Sequence, residues 1–370
     1  MKNPIPRSIW VEKGQPDFVQ IIDQRLLPHE KRVNDLKSTR DCERAIADME
    51  VRGAPLIGIT AAFGMYFAAI EALRHDDGIT CLEKKAGFLK ATRPTAVNLA
   101  WAVDQQMEVY RKHGFNEKLP GVLFENACRL MEEDAEMCRS IGQFGLALIE
   151  QIAREKNGGT VNILTHCNAG SLAVIEWGTA TAPIYHAHQK GVNVHVWVDE
   201  TRPRNQGANL TAYELGEAKV PHTLIVDNAG GHLMQHGQVD IVFVGCDRLS
   251  RTGDAANKVG TYLKALAAGD NEVPFYVCLP SSTIDWGVSD GVSEIEIEER
   301  NEREVKYMPG MLNGRIEEVL ICPETTPAYN IGFDVTPARL ITGLVTEKGV
   351  CEASEDSLTR LFAESTPKAS

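Results

Sequence analysis

From Val161 onward this 370-residue chain alternates short apolar, β-branched runs with stretches of helical periodicity, and that alternation restricts the fold more than any other feature. The runs are Val161 to Thr165, Val192 to Val198, Thr223 to Val226, Ile241 to Val244, Phe275 to Leu279 and Val319 to Ile321. Strands separated by helices imply βαβ units, whose crossovers cover both faces of a mostly parallel sheet with helices. The spacing predicts an α/β, Rossmann-like domain over residues 158–370. No G-x-G-x-x-G follows the first run, so a dinucleotide is not indicated.

Residues 1–157 read differently. An extended segment from Phe18 to Leu27 ends at Pro28, and helical stretches are expected at Thr39 to Met49, Pro55 to Leu73 and Asn98 to Lys112. A long helix follows from about Val122 to Lys156, on which Phe124, Cys128, Met131, Ala135 and Cys138 form one apolar stripe. Asn157-Gly158-Gly159 is a helix stop, and it marks the expected boundary between a smaller, mainly helical N-terminal domain and the sheet domain. Ala363 to Ser370 is expected to be a frayed tail.

The formal charge of -13 argues against nucleic acid or an anionic membrane as partner, because both attract a basic excess. Any phosphate site must therefore be local. No apolar run is expected to reach the roughly 18 residues of a membrane span. The start, Met1-Lys2-Asn3-Pro4, lacks the apolar core of a signal peptide, so a cytoplasmic protein is expected. Nine cysteines, scattered singly without a C-x-x-C, suit reduced thiols rather than disulfides or a zinc site.

Two polar stretches close two of the apolar runs. Thr165-His166-Cys167-Asn168-Ala169-Gly170 follows Val161 to Leu164, and Gly245-Cys246-Asp247-Arg248 follows Ile241 to Val244. Each falls at the carboxyl end of a buried parallel strand, the edge at which open α/β sheets bind ligands. A thiol and a carboxylate delivered there together suggest a proton-shuttling pair acting on a small molecule. Cys167 has polar or small neighbours and precedes an expected helix N-terminus. Its ordinary pKa of about 8.5 makes either protonation state usable near neutrality. His166 is not its expected base, because adjacent strand residues point to opposite faces. Asp247 is either a cap of the next element or, in a dry pocket that disfavours its charge, an acid at neutral pH.

Further candidates surround this pair in the sequence. Arg52-Gly53-Ala54-Pro55 precedes an apolar helical stretch with Pro55 in its first turn. That sets a guanidinium beside a helix N-terminus, an anion site, with a capped turn and a surface arginine as the alternative. Arg93, in Thr92-Arg93-Pro94-Thr95-Ala96-Val97-Asn98, repeats the arrangement, with Thr95 or Asn98 as cap. In Asp199-Glu200-Thr201-Arg202-Pro203-Arg204-Asn205-Gln206-Gly207, Gln206 can bond sugar hydroxyls through both ends of its amide. Asp199 or Glu200 can equally form a structural ion-pair network with Arg202 or Arg204. Asn257-Lys258-Val259-Gly260-Thr261 is expected to open a helix, Lys258 offering a point charge for phosphate and Asn257 a cap or a ligand contact. His186 with His188, and His232 with His236, lack H-E-x-x-H and a third ligand, so structural or interface roles are expected and no metal.

Taken in order, these motifs and Phe333-Asp334-Val335-Thr336-Pro337 resemble the methylthioribose-1-phosphate isomerase family. That family shares its fold with the regulatory subunits of the eukaryotic translation-initiation guanine-nucleotide exchange factor. The resemblance implies interconversion of 5-methylthioribose 1-phosphate and 5-methylthioribulose 1-phosphate in methionine salvage, without metal or organic cofactor. It implies Cys167 as the active-site cysteine and Asp247 as the acid/base. Substrate contacts then fall on Arg52, Gly53, Ala54, Arg93, Gln206, Asn257 and Lys258, in a homodimer. Cys246 departs from the pattern, standing where the family more often has alanine or another small residue. The rival readings are a sister isomerase acting on 5-deoxyribose 1-phosphate or ribose 1,5-bisphosphate, and a non-catalytic regulatory binding subunit.

Overall fold

The computed structural model describes residues 7–12, 14–93 and 97–363. They form two compact units, one of residues 7–136 with Ser171–Glu176, the other of Met137–Gly170 with residues 177–363. The residues beyond Ala363 in the expected tail lie outside the described part.

In the smaller unit, β1 (Ile9–Trp10), β2 (Val19–Asp23) and β3 (Arg32–Leu36) make an antiparallel sheet. Four helices follow, α1 (Thr39–Ala47), α2 (Ala54–Ala72), α3 (Gly78–Ala91) and α4 (Val97–His113), then α5 (Leu119–Glu155). The caps are local side chains: Ser38 accepts from the Asp41 amide at the start of α1, and Asp77 from the Thr80 amide at the start of α3. Helix α2 is 19 residues long and apolar on all sides, so by length and composition it is an exception to the expectation that no run could span a membrane. Its residues are nearly all buried by the surrounding helices, which is what an all-round apolar helix requires in a folded unit. Helix α3 is absent from the sequence reading because its inward positions, Gly78, Leu82, Ala86 and Leu89, include small residues that give little hydrophobic contrast.

Helix α5 is 37 residues long and belongs to both units. Leu119, Leu123, Ala127, Leu130, Met131 and Ala135 lie in the core of the smaller unit. Beyond Met137, Gly142 and Gly145 let the helix approach the next one closely: a Cβ on Gly145 would sit 2.4 Å from Pro183 Cγ. The compact units thus divide within the helix at Glu136 and Met137, while the helix itself stops at Asn157 and Gly158, both left-handed, with the Gly158 amide bonded back to the Ala153 carbonyl.

The larger unit carries β4 (Val161–Thr165), α6 (Ala182–Gln189), β5 (Val194–Asp199), α7 (Ala212–Glu217), β6 (His222–Ile225), α8 (Ala229–Gln235), β7 (Ile241–Val244), β8 (Arg248–Ser250), β9 (Ala255–Lys258), α9 (Thr261–Asp270) and β10 (Phe275–Cys278). After β11 (Ile284–Asp285) come β12 (Tyr307–Leu312), β13 (Arg315–Leu320), β14 (Phe333–Thr336), β15 (Gly343–Thr346) and β16 (Gly349–Cys351). Among the described residues the main sheet has seven strands in the order β6-β5-β4-β7-β10-β15-β16, all parallel but for β16. The chain starts in the middle at β4, builds outward to β6, then returns to β7 on the other side of β4. This is the doubly wound order, and its switch point lies between β4 and β7.

One expectation is corrected here. Val319 to Ile321 is not a parallel strand: it falls at the end of β13, which pairs antiparallel with β12 in a separate exposed ribbon. The sixth parallel position belongs to β15, whose four residues, Gly343 to Thr346, are all buried. A glycine and two threonine-flanked aliphatics do not stand out in sequence, whereas Val319-Leu320-Ile321 does.

Candidate active site

The strands β4 and β7 are neighbours in register, Leu164 opposite Val242, and each runs out at the carboxyl edge into one of the two polar stretches. Cys167 and Asp247 therefore flank the switch point, two and three residues past the strand ends. The two loops pack directly on each other. A Cβ on Gly245 would lie 2.6 Å from the Ala169 Cβ, closer than real carbons approach.

Cys167 is 7% exposed and left-handed at φ 64. Its amide donates to Thr201 Oγ1 (2.8 Å), its carbonyl accepts from Thr211 Oγ1 (2.7 Å), and its Sγ donates to Gln206 Oε1 (3.4 Å). The next residue is anchored too: Asn168 Nδ2 donates to Thr211 Oγ1 (3.1 Å) and to Glu214 Oε1 (3.0 Å), while Glu214 Oε2 accepts from the Tyr185 hydroxyl (3.0 Å). Burial, together with the Glu214 charge, raises the Tyr185 phenol and keeps it a donor. The helix N-terminus expected just after Cys167 is not there. A single 3-10 turn, Ser171–Ala173, follows, and α6 begins only at Ala182, so no helix dipole acts on the thiol from that side.

His166 points away from the thiol, as alternation requires. Its Nδ1 lies 2.9 Å from Asp199 Oδ2 and its Nε2 2.9 Å from the Val259 carbonyl. The same Asp199 oxygen receives Lys264 Nζ at 3.1 Å. His166, Asp199 and Asp227 could together hold a metal by distance. The Lys264 ammonium already supplies the cation on Asp199, so the cluster reads as a self-neutralised ion-pair network. Asp199 pairs with His166 and Lys264, not with the loop arginines. Arg202 instead donates to the Pro203 and Val305 carbonyls, and Arg204 pairs with Glu304 at 2.9 Å.

Asp247 is half-buried, and its amide donates to the Ala256 carbonyl (2.9 Å), opening the hairpin of β8 and β9. Asn257 and Lys258 are buried strand residues at the end of β9 rather than the opening of a helix. Lys258 Nζ lies 4.6 Å over the Phe333 ring, and Asn257 Nδ2 donates to Thr261 Oγ1 (3.0 Å). The helix α9 begins after Gly260, at φ 102, and Asp334 accepts from the Gly260 amide (2.7 Å) and the Tyr262 amide (3.2 Å). That helix end therefore has its anion already, so Lys258 and not the α9 dipole is the phosphate candidate here. Cys246 is held well above the ordinary thiol range, chiefly by burial and further by Asp247 whenever that carboxyl is ionised.

The phosphate candidates of the smaller unit cluster within it. Gly53, at φ 94, caps α2, and a Cβ there would strike the Ala173 carbonyl oxygen at 2.2 Å. Ala54 opens α2 and Pro55 fills its first turn. Gly58 abuts Asn98, and Gln106 Nε2 donates to the Ala62 carbonyl (3.0 Å), so α2 and α4 run in the same direction with their N-termini side by side. Arg52 and Arg93, both half-buried, lie in the segments leading to those N-termini. Thr95, one of the expected caps, lies outside the described residues, and Asn98 is buried inside α4. Of the histidine pairs, His186 packs 4.6 Å from Trp177 and is pushed by burial down to about 4, and the His232 and His236 rings lie 4.2 Å apart, tilted by 42°.

The Initiation factor 2 subunit family model matches residues 50–353 of the chain. The methylthioribose-1-phosphate isomerase of Desulfatibacillum aliphaticivorans is 53% identical over 358 residues, 97% of each chain. Among solved structures, the 5-methylthioribose 1-phosphate isomerase from Pyrococcus horikoshii OT3 superposes with a TM-score of 0.84 at 36% identity, covering 97% of this chain and 96% of that one. The translation initiation factor eIF-2B, subunit delta, from A. fulgidus gives 0.79 at 35% identity, covering 97% of this chain and 100% of that one.

Proposed function

The chain belongs to the Initiation factor 2 subunit family and, within it, to the methylthioribose-1-phosphate isomerases, and from that premise we propose how its residues carry the reaction. It is an aldose-ketose isomerase that converts 5-methylthioribose 1-phosphate to 5-methylthioribulose 1-phosphate in methionine salvage. The observation that carries the residue assignment is the delivery of Cys167 and Asp247 to the two sides of the switch point, with Gln206 bonded to the thiol.

The phosphate on the anomeric oxygen blocks the spontaneous ring opening that free aldoses use. The ring oxygen must therefore be protonated and its bond to C1 broken, the electron pair staying on that oxygen as the C4 hydroxyl, before hydrogen moves with its own pair from C2 to the electron-poor C1. Asp247, in its acid form, is the donor. The Cys167 thiol donates to Gln206 Oε1, an arrangement that favours a neutral thiol at rest, which assists a hydride shift from C2 to C1 rather than removing a proton. The proton released from the C2 hydroxyl then returns to the Asp247 carboxylate, and the site ends as it began. Within the larger unit, Lys258 is assigned to the phosphate and Asn257 and Gln206 to sugar hydroxyls, while the family resemblance assigns Arg52, Gly53, Ala54 and Arg93 of the smaller unit to substrate contacts. Binding energy from the phosphate, remote from C1 and C2, holds the substrate for reaction.

Turnover in deuterated water separates the routes. The hydride shift predicts that product C1 carries no solvent deuterium. Substantial incorporation would instead establish a Cys167 thiolate removing the C2 proton to give an enol phosphate. Turnover of 5-methylthioribose 1-phosphate is expected to exceed that of 5-deoxyribose 1-phosphate and ribose 1,5-bisphosphate, and a faster rate on either of these would overturn the substrate assignment. A cytoplasmic homodimer completes the proposal, resting on the family resemblance, and sedimentation at micromolar concentration tests the dimer.

A further inference from the structure

We propose that Thr201 is a positioning residue for Cys167, acting through its hydroxyl. Thr201 is fully buried and adopts φ 65, a conformation a β-branched residue occupies only when its surroundings impose it. The surroundings here are specific. The Thr201 amide donates to Asp227 Oδ1 (2.8 Å), and the next amide, Arg202, to Asp227 Oδ2 (2.8 Å), so one carboxylate clamps the turn. The Thr201 hydroxyl donates to the Asp199 carbonyl (3.1 Å), which commits its hydrogen and leaves a lone pair for the Cys167 amide at 2.8 Å.

Two left-handed residues from different strand ends are thus joined by one hydroxyl. The Cys167 amide, turned off the strand ladder by its φ of 64, finds its partner in that oxygen. With the Cys167 carbonyl fixed by Thr211, the peptide is held on both sides and the thiol keeps its direction toward Gln206. Glycine or asparagine would meet the backbone requirement at position 201 without strain. A strained threonine in that place supplies what those residues do not, a hydroxyl of fixed polarity aimed at the active-site loop.

The proposal rests on the reading of Cys167 as the active-site thiol, and Cys167→Ala in the same assay tests that reading separately. Thr201→Ser retains the hydroxyl, Thr201→Val removes it but keeps the shape, and Thr201→Gly removes both the hydroxyl and the strain. We expect Thr201→Val and Thr201→Gly to lower kcat by about ten- to a hundred-fold with KM little changed, as for a displaced reacting group. Thr201→Ser restores kcat, and iodoacetamide alkylation of Cys167, followed by mass spectrometry, accelerates in the Val and Gly variants but not in the Ser variant. Thr201→Gly keeps the test valid if Thr201→Val unfolds. Wild-type kcat and wild-type alkylation in folded Thr201→Gly would overturn the proposal, as would a loss in Thr201→Ser equal to that in Thr201→Val. Activity surviving in Cys167→Ala would instead overturn the active-site reading beneath it.

Discussion

Cys167 and Asp247 are ordinary residue types brought together by where two strands end, and the roles proposed for them can be tested one side chain at a time. Removing a general acid or base typically lowers the rate by about 10²- to 10⁴-fold, the loss expected in kcat for Asp247→Asn with KM largely retained. Lys258→Ala should act on KM, weakening substrate binding by roughly 1.5–3 kcal/mol, the worth of a hydrogen bond to a charged group. Steady-state kinetics on both variants separates these outcomes. Cys246 sits next to Asp247, but burial holds its thiol protonated, so alkylation at pH 8 should leave it unmodified while Cys167 reacts. Peptide mapping after iodoacetamide treatment checks this, and prominent labelling at Cys246 would contradict it. The placement of Cys167 and Asp247 was legible because a polar group closing an apolar run is visible in the chain itself. Thr201, Thr211, Glu214 and Lys264 were not, because their roles come from partners dozens of residues away.

At the level of elements, local signals placed α1, α2, α4 and α5 within a few residues, and long-range packing decided the rest. The expected helix at Asn257 became the end of β9, because the register with β14 sets Asn257 opposite Asp334 and Lys258 opposite Phe333. No local pattern in Ala255-Ala256-Asn257-Lys258 announces that pairing. The start of α2 depends on Gly53, whose φ of 94 and close approach to the Ala173 backbone exclude a side chain. Gly53→Ala should therefore destabilise the protein by more than about 1 kcal/mol, measured by urea unfolding. On α5, Asp134 accepts the Ile175 amide (3.1 Å), and burial pushes its carboxyl up to about 7. In the unfolded chain that group ionises near its ordinary value, so between those limits the folded state holds the extra proton and stability falls as pH rises. Asp134→Asn keeps an acceptor for Ile175 and removes the charge. It should raise Tm at pH 8 and have little effect at pH 4, and an equal change at both pH values would exclude the buried carboxyl as the cause.

Over the whole molecule, the alternation of strands and helices beyond Val161 was enough to predict a doubly wound sheet, and the observed order turns that class into a site. The strand order reverses between β4 and β7, the place where open α/β sheets take ligands at their carboxyl edge, and the two motifs end there because those strands do. The division within α5 was not legible, since one helix with one continuous apolar stripe serves two cores. Whether this edge isomerises 5-methylthioribose 1-phosphate through Cys167 and Asp247 is decided by turnover of that substrate by wild type, Cys167→Ala and Asp247→Asn, each shown to be folded by circular dichroism. Wild type should turn it over readily, and both variants should lose nearly all activity. Wild-type turnover in either variant, or none in the folded wild-type protein, would contradict that assignment.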